Sequence, residues 1–472
     1  MKKENIIMVC VGASAGSLLT FSPFGSLVFS AFLLCLYFIY RYSENGSRAF
    51  LIKLFVIGFL IRIPLVILNY FIGLQSHYNS SDTQPDAMIY NANAFYLAQM
   101  ISNLDFSKDI FREPFLADAF EQRFLMYNGG LPSQGTYQFG AYVKFIGFLY
   151  SWLGYSPIAA KLLNGLAGCI SAILAYALAK VLTGDGMTAK ISAFLVMFFP
   201  SSLYWSVTLL QDPLVNCLFL LYALMAILYL KNGNKGYILS MLISCVIISS
   251  LKTRLPLLLW SSFAIFLTIK FFVSIARKKV LTRSMILLIL FIFIASGVVL
   301  GQKKIAGFLE DNVKNMFFTH KSAATDYPTA STFKLYGEDV YNKKLLTASD
   351  VVNSGIFYTM FKAAAYYFLS PFPWDISRTH PYLLLFYPQI IFTFICLPFM
   401  FIGILNCVKR APLITISLIA LIILLALPQA MSEGIIGNVV RHRDMFMSFI
   451  LIFSVYGFCV IASRSEPGRE LP

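Results

Sequence analysis

Long apolar runs separated by short polar links dominate the hydropathy pattern of the chain. Because about 20 apolar residues suffice for a helix to cross a bilayer, the runs predict an all-α polytopic membrane protein with about 12 transmembrane helices. The first run could be a signal peptide, but a second run follows so soon that an uncleaved helical hairpin is the better interpretation. The predicted spans are residues 5–21, 26–41, 49–73, 156–182, 192–208, 213–230, 236–251, 255–276, 284–303, 380–406, 412–428 and 445–463.

Composition supports the membrane class and excludes two others. Of 472 residues, 58% are hydrophobic and 12% are charged, and the mean hydropathy is +0.73, which excludes a single soluble core. The net charge of +15 invites a nucleic-acid partner, but the basic residues are scattered through short links, so we expect none. The 8 cysteines lie in or beside apolar runs without metal-ligand spacing, and they predict neither a disulfide framework nor a zinc site.

The distribution of Lys and Arg predicts the orientation of the chain. Short links rich in these residues face the cytoplasm in membrane proteins, and twelve spans would return both termini to that side of a cytoplasmic membrane. The residues that fix this side are Lys2, Lys3, Arg41, Arg48, Lys190, Lys231, Lys235, Arg277, Lys278, Lys279, Arg283, Lys409, Arg410, Arg464 and Arg469.

Two long loops then fall on the outer side, at about residues 74–155 and 304–379. Each ends in an aromatic, amphipathic stretch that predicts an interfacial helix on the membrane surface. The predicted division of the chain is an N-terminal helical hairpin over 1–48, a transmembrane domain over 49–463 and a cytoplasmic tail over 464–472. All four histidines, His77, His320, His380 and His442, also fall on the outer side.

Acidic residues mark the start of the first outer loop and one outer turn. Asp82 and Asp86 follow the third span, and Asp86 would begin a helix whose dipole favours a carboxylate. Asp212 precedes Pro213 in a tight turn between two spans. The alternative for the first pair is a solvated loop with a capping Asp, and for Asp212 it is simple N-capping of the next span.

Cations collect at two other outer positions. Lys252 and Arg254 occupy a tight outer turn, where positive charge runs against the topology bias. Arg441, His442 and Arg443 precede the last predicted span, and two guanidiniums beside an imidazole suit a phosphate. The alternatives are an interfacial anchor for the first pair and contact with lipid head groups for the second cluster.

Arg62 lies midway along the third span, where a charge is costly and normally faces the protein interior. Its role, structural or functional, stays open at this stage. A transporter would place ionisable groups near the bilayer midplane, and Arg62 is the one deep charge among the groups considered, so transport is the less favoured function.

These motifs, taken in chain order, resemble those of the GT-C superfamily of integral-membrane glycosyltransferases, which includes protein O-mannosyltransferases and lipid A aminoarabinose transferases. The resemblance covers about residues 49–460 and rests on short motifs. They are Asp82 to Asp86 followed by Tyr90 and Ala94, Tyr155-Ser156-Pro157 through Lys161 to Asn164, Phe199-Pro200-Ser201 leading to Asp212, and Gly437-Asn438 with Arg441-His442-Arg443. This chain departs from the simplest members in having two extra N-terminal spans and an Asp-x-x-x-Asp motif.

The resemblance implies a transmembrane catalytic domain at 49–463 that moves a sugar, with inversion, from a polyprenyl-phosphate donor to an envelope glycan, lipid or protein. Such a reaction needs a base for the acceptor and cations for the departing phosphate. Asp86 would be the base, with Asp82 as the alternative acid. Asp212 would orient the acceptor or hold a divalent metal ion, and Lys252, Arg254, Arg441, His442 and Arg443 would bind the donor phosphate. Membrane lipids would surround the site on the outer face.

Two other functional classes remain open at the sequence level. An envelope polysaccharide polymerase or ligase of another fold would use similar lipid-linked substrates and outer-face arginines, but it would not need Asp86. The second class is a non-enzyme. A transporter or flippase for lipid-linked glycans would place ionisable groups near the bilayer midplane, and a structural scaffold is the remaining alternative.

Overall fold

A computed structural model describes residues 22–78, 85–102, 140–252, 255–277, 318–321, 324, 332–335, 356–372 and 387–465. These residues form helices joined by short turns, and they include one isolated antiparallel bridge between Thr332 and Ile435. With its long apolar helices, the chain is an all-α polytopic membrane protein.

The helices of the described residues are labelled in chain order. They are α1 Pro23–Tyr42, α2 Asn45–Tyr78, α3 Pro85–Ser102, α4 Ala141–Leu153, α5 Pro157–Thr183, α6 Gly186–Phe198, α7 Pro200–Ser206, α8 Asp212–Asn232, α9 Lys235–Leu251, α10 Pro256–Arg277, α11 Ile356–Leu369, α12 Tyr387–Arg410, α13 Pro412–Ser432 and α14 Ile436–Ser465.

Within the described part of the chain, 8 helices are long and apolar enough to cross a membrane, or up to 9 if the bent pair α6–α7 forms one span. Helix α9 is apolar but shorter than these helices. The predicted spans 5–21 and 284–303 lie outside the described residues. The prediction of twelve spans, with both termini in the cytoplasm, therefore remains a prediction.

The helix that contains the last predicted span, 445–463, begins earlier than that span, at Ile436. Residues 433–444 are expected from the sequence to be an outer segment, but α14 begins at Ile436 and already contains Arg441, His442 and Arg443. The charges are compatible with this helix because their partners lie within the protein: Arg443 is buried, and His442 is hydrogen-bonded to Glu433.

The region predicted as one span at 192–208 is a broken helix. Helices α6 and α7 meet at Phe199 with a bend of 53°. Pro200 is the first residue of α7, and because proline has no N–H it cannot continue the hydrogen-bond ladder of α6. The break exposes carbonyl groups at the end of α6 that need other partners.

The chain forms two compact units, 1–176 with 193–218 and 177–192 with 219–472. In the first unit, α1 packs on α2 through the ring of Phe32, whose centroid lies 5.4 Å from that of Phe55 and 4.7 Å from that of Phe59. The second half of the predicted N-terminal hairpin is thus joined closely to the helix that follows it. Helix α3 packs along α4 in the same unit.

In the second unit, α12 and α14 cross at two glycines. A Cβ atom added at Gly403 would lie 1.9 Å from the carbonyl oxygen of Phe453, and one added at Gly457 would lie 1.9 Å from that of Phe399. The two backbones are therefore in direct contact, as small residues allow in membrane helices. This crossing fixes the helix that carries Arg441 and His442.

Candidate functional site

The first polar cluster lies in the first unit around Asn164 of α5. The buried Asn164 side chain donates two hydrogen bonds through Nδ2, each of 2.7 Å, to the carbonyl oxygens of Thr208 and Leu210. Its Oδ1 accepts a 3.0 Å hydrogen bond from the hydroxyl of Tyr142 on α4. One amide thus fixes the turn that leads into Asp212 and joins that turn to α4.

Asp212 is the first residue of α8, at the helix start that the sequence predicts. Its side chain is buried. Burial raises the pKa of the Tyr142 phenol, and the nearby Asp212 carboxylate raises it further, more than offsetting the hydrogen bond to Asn164. Tyr142 therefore stays protonated and serves as a hydrogen-bond donor. The phenol donates its one proton to Asn164, so it braces the turn that leads into the buried Asp212.

Helix α3, which begins beside the predicted catalytic acid in the sequence, places Tyr90 next to this cluster. Asp86 is the second residue of α3, one turn before Tyr90, and the ring centroid of Tyr90 lies 5.9 Å from that of Tyr142. The next residue, Asn91, bridges the two tyrosine hydroxyls of Tyr150 and Tyr155 at 2.8 Å each. The predicted helix start at Asp86 is confirmed, whereas Asp82 and the side chain of Asp86 lie outside the described residues.

Arg62 is fully buried, and its contacts belong to the helix break. Its Nη2 donates to the carbonyl oxygen of Met197 at 3.1 Å and its Nε donates to Ser206 Oγ at 2.9 Å. Met197 lies in the last turn of α6, where a cation is favoured by the helix dipole. The interior orientation expected for a deep charge is confirmed, and the contacts indicate a structural role in bracing α6 against α7.

The second polar cluster lies in the second unit, where α13 ends and α14 begins. His442 Nδ1 lies 2.8 Å from Glu433 Oε1, and Glu433 is only 5% exposed. Arg441 Nη2 lies 3.4 Å from His442 Nε2. The structure thus brings together two of the cations predicted to bind phosphate, and it adds a carboxylate to which the sequence analysis gave no role.

Lys252 belongs to the same cluster. It caps α9, with its N–H bonded to the carbonyl oxygen of Ile248, and its own carbonyl oxygen accepts from the N–H of Leu255. The tight turn predicted here is confirmed by this geometry. The Lys252 ammonium lies close enough to His442 to interact with it electrostatically, while Arg254 lies outside the described residues.

Arg443 is engaged differently from its neighbours. It is 2% exposed, and its Nη1 donates to two carbonyl oxygens at the end of α11, that of Phe368 at 3.1 Å and that of Ser370 at 2.6 Å. Asp444 supplies an electrostatic partner of opposite charge. These contacts describe a structural link between α11 and α14, and the phosphate-binding role of Arg443 remains a prediction.

A segment of the second predicted outer loop is docked on the backbone of Glu433. His320 Nδ1 lies 2.5 Å from the carbonyl oxygen of Glu433, and His320 Nε2 accepts a 3.3 Å hydrogen bond from the N–H of Leu335. The N–H of Phe333 donates to the carbonyl oxygen of Gly434 at 3.0 Å. Burial lowers the pKa of His320 to about 4, outweighing the opposing effect of Glu433, so this histidine is neutral.

Sequence reasoning missed one residue that organises each cluster, Glu433 in the second unit and Tyr142 in the first. Glu433 lies nine positions before His442, a spacing without a helical or strand period, and Tyr142 reads in the sequence as one more aromatic of an interfacial stretch. Among the described residues, no group of three or more His, Cys, Asp and Glu side chains could hold a metal ion. A metal at Asp212 would need ligands outside this part of the chain, and it stays a prediction.

No protein-family model, curated protein or solved structure matches the chain. The two polar clusters are therefore interpreted from their own chemistry.

Proposed function

We propose that the protein is an inverting membrane glycosyltransferase, which moves a sugar from a polyprenyl-phosphate donor to a cell-envelope glycan, lipid or protein. The observation that carries the proposal is the cationic cluster of Lys252, Arg441 and His442 at the start of α14, with the imidazole oriented by the buried Glu433. Guanidinium, ammonium and imidazole donors at the first turns of a long apolar helix suit a lipid-borne phosphate.

The acid–base part of the proposal rests on the first unit. An acceptor hydroxyl needs a base. Asp86 lies in the first turn of α3, where the helix dipole favours the ionised form of a carboxylate. Asp212, after the turn that Asn164 and Tyr142 brace, would orient the acceptor. The sugar phosphate is already a good leaving group, so phosphate-binding cations rather than a strong acid would stabilise the transition state.

The topology derived from the sequence puts the helix ends that carry both clusters on the outer side of the cytoplasmic membrane. The donor would then be used where envelope glycans are assembled, with membrane lipids around the helices. No nucleic acid is expected as a partner.

Mass spectrometry of envelope glycans and lipids tests this function. A strain lacking the gene should lose one sugar modification and accumulate the matching polyprenyl-phosphate sugar. Wild type and the control variant Lys144→Gln, which changes an exposed lysine of α4, should restore it, whereas Arg441→Ala should not. Purified protein in liposomes should release polyprenyl phosphate from the donor when acceptor is present. A protein that moves the donor across the bilayer without consuming it would instead be a transporter.

A further inference from the structure

The backbone on both sides of the Glu433 carboxylate is held in place by several hydrogen bonds. The N–H of Glu433 bonds the carbonyl oxygen of Gln429, and its own carbonyl oxygen accepts from His320. Gly434 accepts from the N–H of Phe333, and Ile435 pairs with Thr332. The carboxylate that contacts His442 is therefore preorganised by the docked loop segment rather than placed on a mobile turn.

The hydrogen bonds of His442 define its protonation state. An ionised carboxylate only accepts hydrogen bonds, so the 2.8 Å contact with Glu433 puts the proton of the ring on Nδ1. A guanidinium only donates, so the facing Arg441 Nη2 leaves the lone pair on Nε2. In this arrangement His442 is the neutral Nδ1–H tautomer, and a second proton on Nε2 would face a cation.

Among the described residues, charged groups from three helix ends act on the His442 imidazole. Lys252 at the end of α9 and Arg441 on α14 are positive, and Glu433 at the end of α13 is negative. His320, which contacts the Glu433 backbone, is neutral, and Arg443 is turned to α11 with Asp444 as its electrostatic partner. Protonation of His442 would therefore add one positive charge beside these groups.

We propose that this cluster is a proton-linked phosphate site, in which His442 is neutral beside a phosphodiester and protonated beside a phosphate monoester. The inference rests on the proposed function, which places the donor phosphate here. A diester carries one negative charge and a monoester about two at neutral pH, so one added proton on His442 offsets the additional charge of the monoester. Glu433 is the positioning residue, because its carboxylate holds the ring and stabilises the imidazolium.

Proton uptake by His442 fits the change in phosphate charge during the transfer reaction. The acceptor oxygen forms a bond to the anomeric carbon while the bond from that carbon to the phosphate oxygen breaks, and both electrons of this bond stay on the phosphate. The phosphate thereby gains one negative charge, and the acceptor hydroxyl loses one proton to the base and then to water. Uptake of one proton by His442 Nε2 keeps the charge of the occupied site unchanged through the reaction.

Titration calorimetry in buffers of different ionisation enthalpy measures the protons taken up on binding. The probes are dodecyl phosphate as the monoester, dodecyl methyl phosphate as the diester and inorganic phosphate as a headgroup without lipid. At about pH 8, about two units above the second phosphate pKa of about 6, the monoester itself is a dianion. The detergent-solubilised wild-type protein should take up close to one proton with dodecyl phosphate and almost none with the diester.

Three variants separate His442 from other proton acceptors. His442→Gln should bind both lipids with almost no proton uptake, and Glu433→Gln, which keeps a hydrogen-bond acceptor but removes the charge, should take up clearly less than wild type. Lys144→Gln, a charge removal elsewhere, should behave as wild type. Equal uptake in wild type and His442→Gln would assign the proton to the ligand and overturn the inference, as would the absence of uptake in wild type.

The binding data also distinguish this inference from the function on which it rests. Binding of both lipids without differential proton uptake removes the linkage and leaves the phosphate site intact. Failure of both lipids to bind removes the phosphate site of the proposed function and the linkage with it. Inorganic phosphate that binds with the same uptake assigns recognition to the headgroup alone, and weaker binding by inorganic phosphate assigns part of it to the lipid.

Discussion

Two arginines at neighbouring positions of α14 have different environments, and the environment determines whether each guanidinium can bind a ligand. Arg441 faces His442 in a partly accessible cluster, whereas Arg443, two residues later, is buried and donates to the carbonyl oxygens of Phe368 and Ser370. The sequence alone predicts the same phosphate-binding role for both. A guanidinium that already donates to two carbonyl oxygens can donate fewer hydrogen bonds to a ligand.

The two arginines should therefore respond differently to truncation. Arg443→Ala removes two charge-assisted hydrogen bonds, each worth about 1.5–3 kcal/mol, and leaves buried carbonyl oxygens without a donor, so the folded yield in detergent should fall sharply. Arg441→Ala should fold as wild type and bind a polyprenyl-phosphate sugar about 10- to 150-fold more weakly. Fluorescence-detected size-exclusion chromatography and a lipid-binding assay measure the two effects. The opposite pattern would assign the phosphate contact to Arg443.

At this scale the sequence predicts which residue types matter but not their partners. The deep position of Arg62 predicts an interior contact, yet Met197 and Ser206 are 135 and 144 positions away along the chain. Glu433 likewise has no signal in the sequence, because its importance comes from a hydrogen bond to His442 and from a loop segment docked on its backbone. Such long-range contacts are set by tertiary packing, which local patterns do not encode.

At the scale of elements, the docked segment around His320 should be sensitive to acid. The folded pKa of about 4 lies below the ordinary value of 6.5, so the undocked segment binds a proton first. The stabilisation is complete above about pH 6.5 and is lost as the pH falls through about 4, and it amounts to about 3 kcal/mol. A proton on Nε2 would also oppose the N–H of Leu335.

Hydrogen exchange at residues 332–335, corrected for the intrinsic rate at each pH, measures this docking. Exchange through the undocked state should rise about 50-fold between about pH 7 and about pH 4.5 in wild type. His320→Gln keeps a donor and an acceptor but cannot titrate in this range, so its corrected exchange should not change with pH. Equal acid sensitivity in both proteins would place the titrating group elsewhere.

The crossing of α12 and α14 predicts a second effect at the element scale. Gly403→Ala places a methyl group against the backbone carbonyl of Phe453, which cannot rotate away, and should cost about 1–3 kcal/mol. Gly46→Ala in α2, with no atom within 4 Å of the added Cβ, is the matched control and should be neutral or slightly stabilising. Thermal unfolding in detergent compares the two, and an unaffected Gly403→Ala protein would mean that the helices separate at little cost.

At the scale of the whole molecule, the orientation in the membrane follows from the charge of the links. Reporter fusions at Lys231 and Arg283 should be cytoplasmic, and fusions at Ser107 and Thr329 should be external, because short links rich in Lys and Arg stay inside. An external signal at Arg283 would reverse the orientation and remove the proposed site from the outer face.

Hydropathy predicts the helices of this molecule well, and their ends less well. A bilayer allows few alternatives to long apolar helices, so the spans at 156–182 and 213–230 correspond to α5 and α8 within a few residues. The break at Phe199 depends on Pro200. The start of α14 at Ile436 depends on Glu433, which provides a hydrogen-bond partner for His442 inside the protein. The same holds for the candidate site. Its acidic and cationic residues can be predicted from the sequence, but the contacts that orient their side chains cannot.

The most direct test of the glycosyltransferase proposal is transfer of labelled sugar from a polyprenyl-phosphate donor in membranes that contain wild type, Asp86→Asn or Asp82→Asn at matched levels. Loss of the general base should reduce transfer by Asp86→Asn about 10²–10⁴-fold, with donor binding retained, while Asp82→Asn should lose less because it precedes Pro85. Full activity of Asp86→Asn with loss in Asp82→Asn would mean that Asp82 is the base. If transfer is unaffected in both variants, or absent in wild type, the proposed mechanism is wrong.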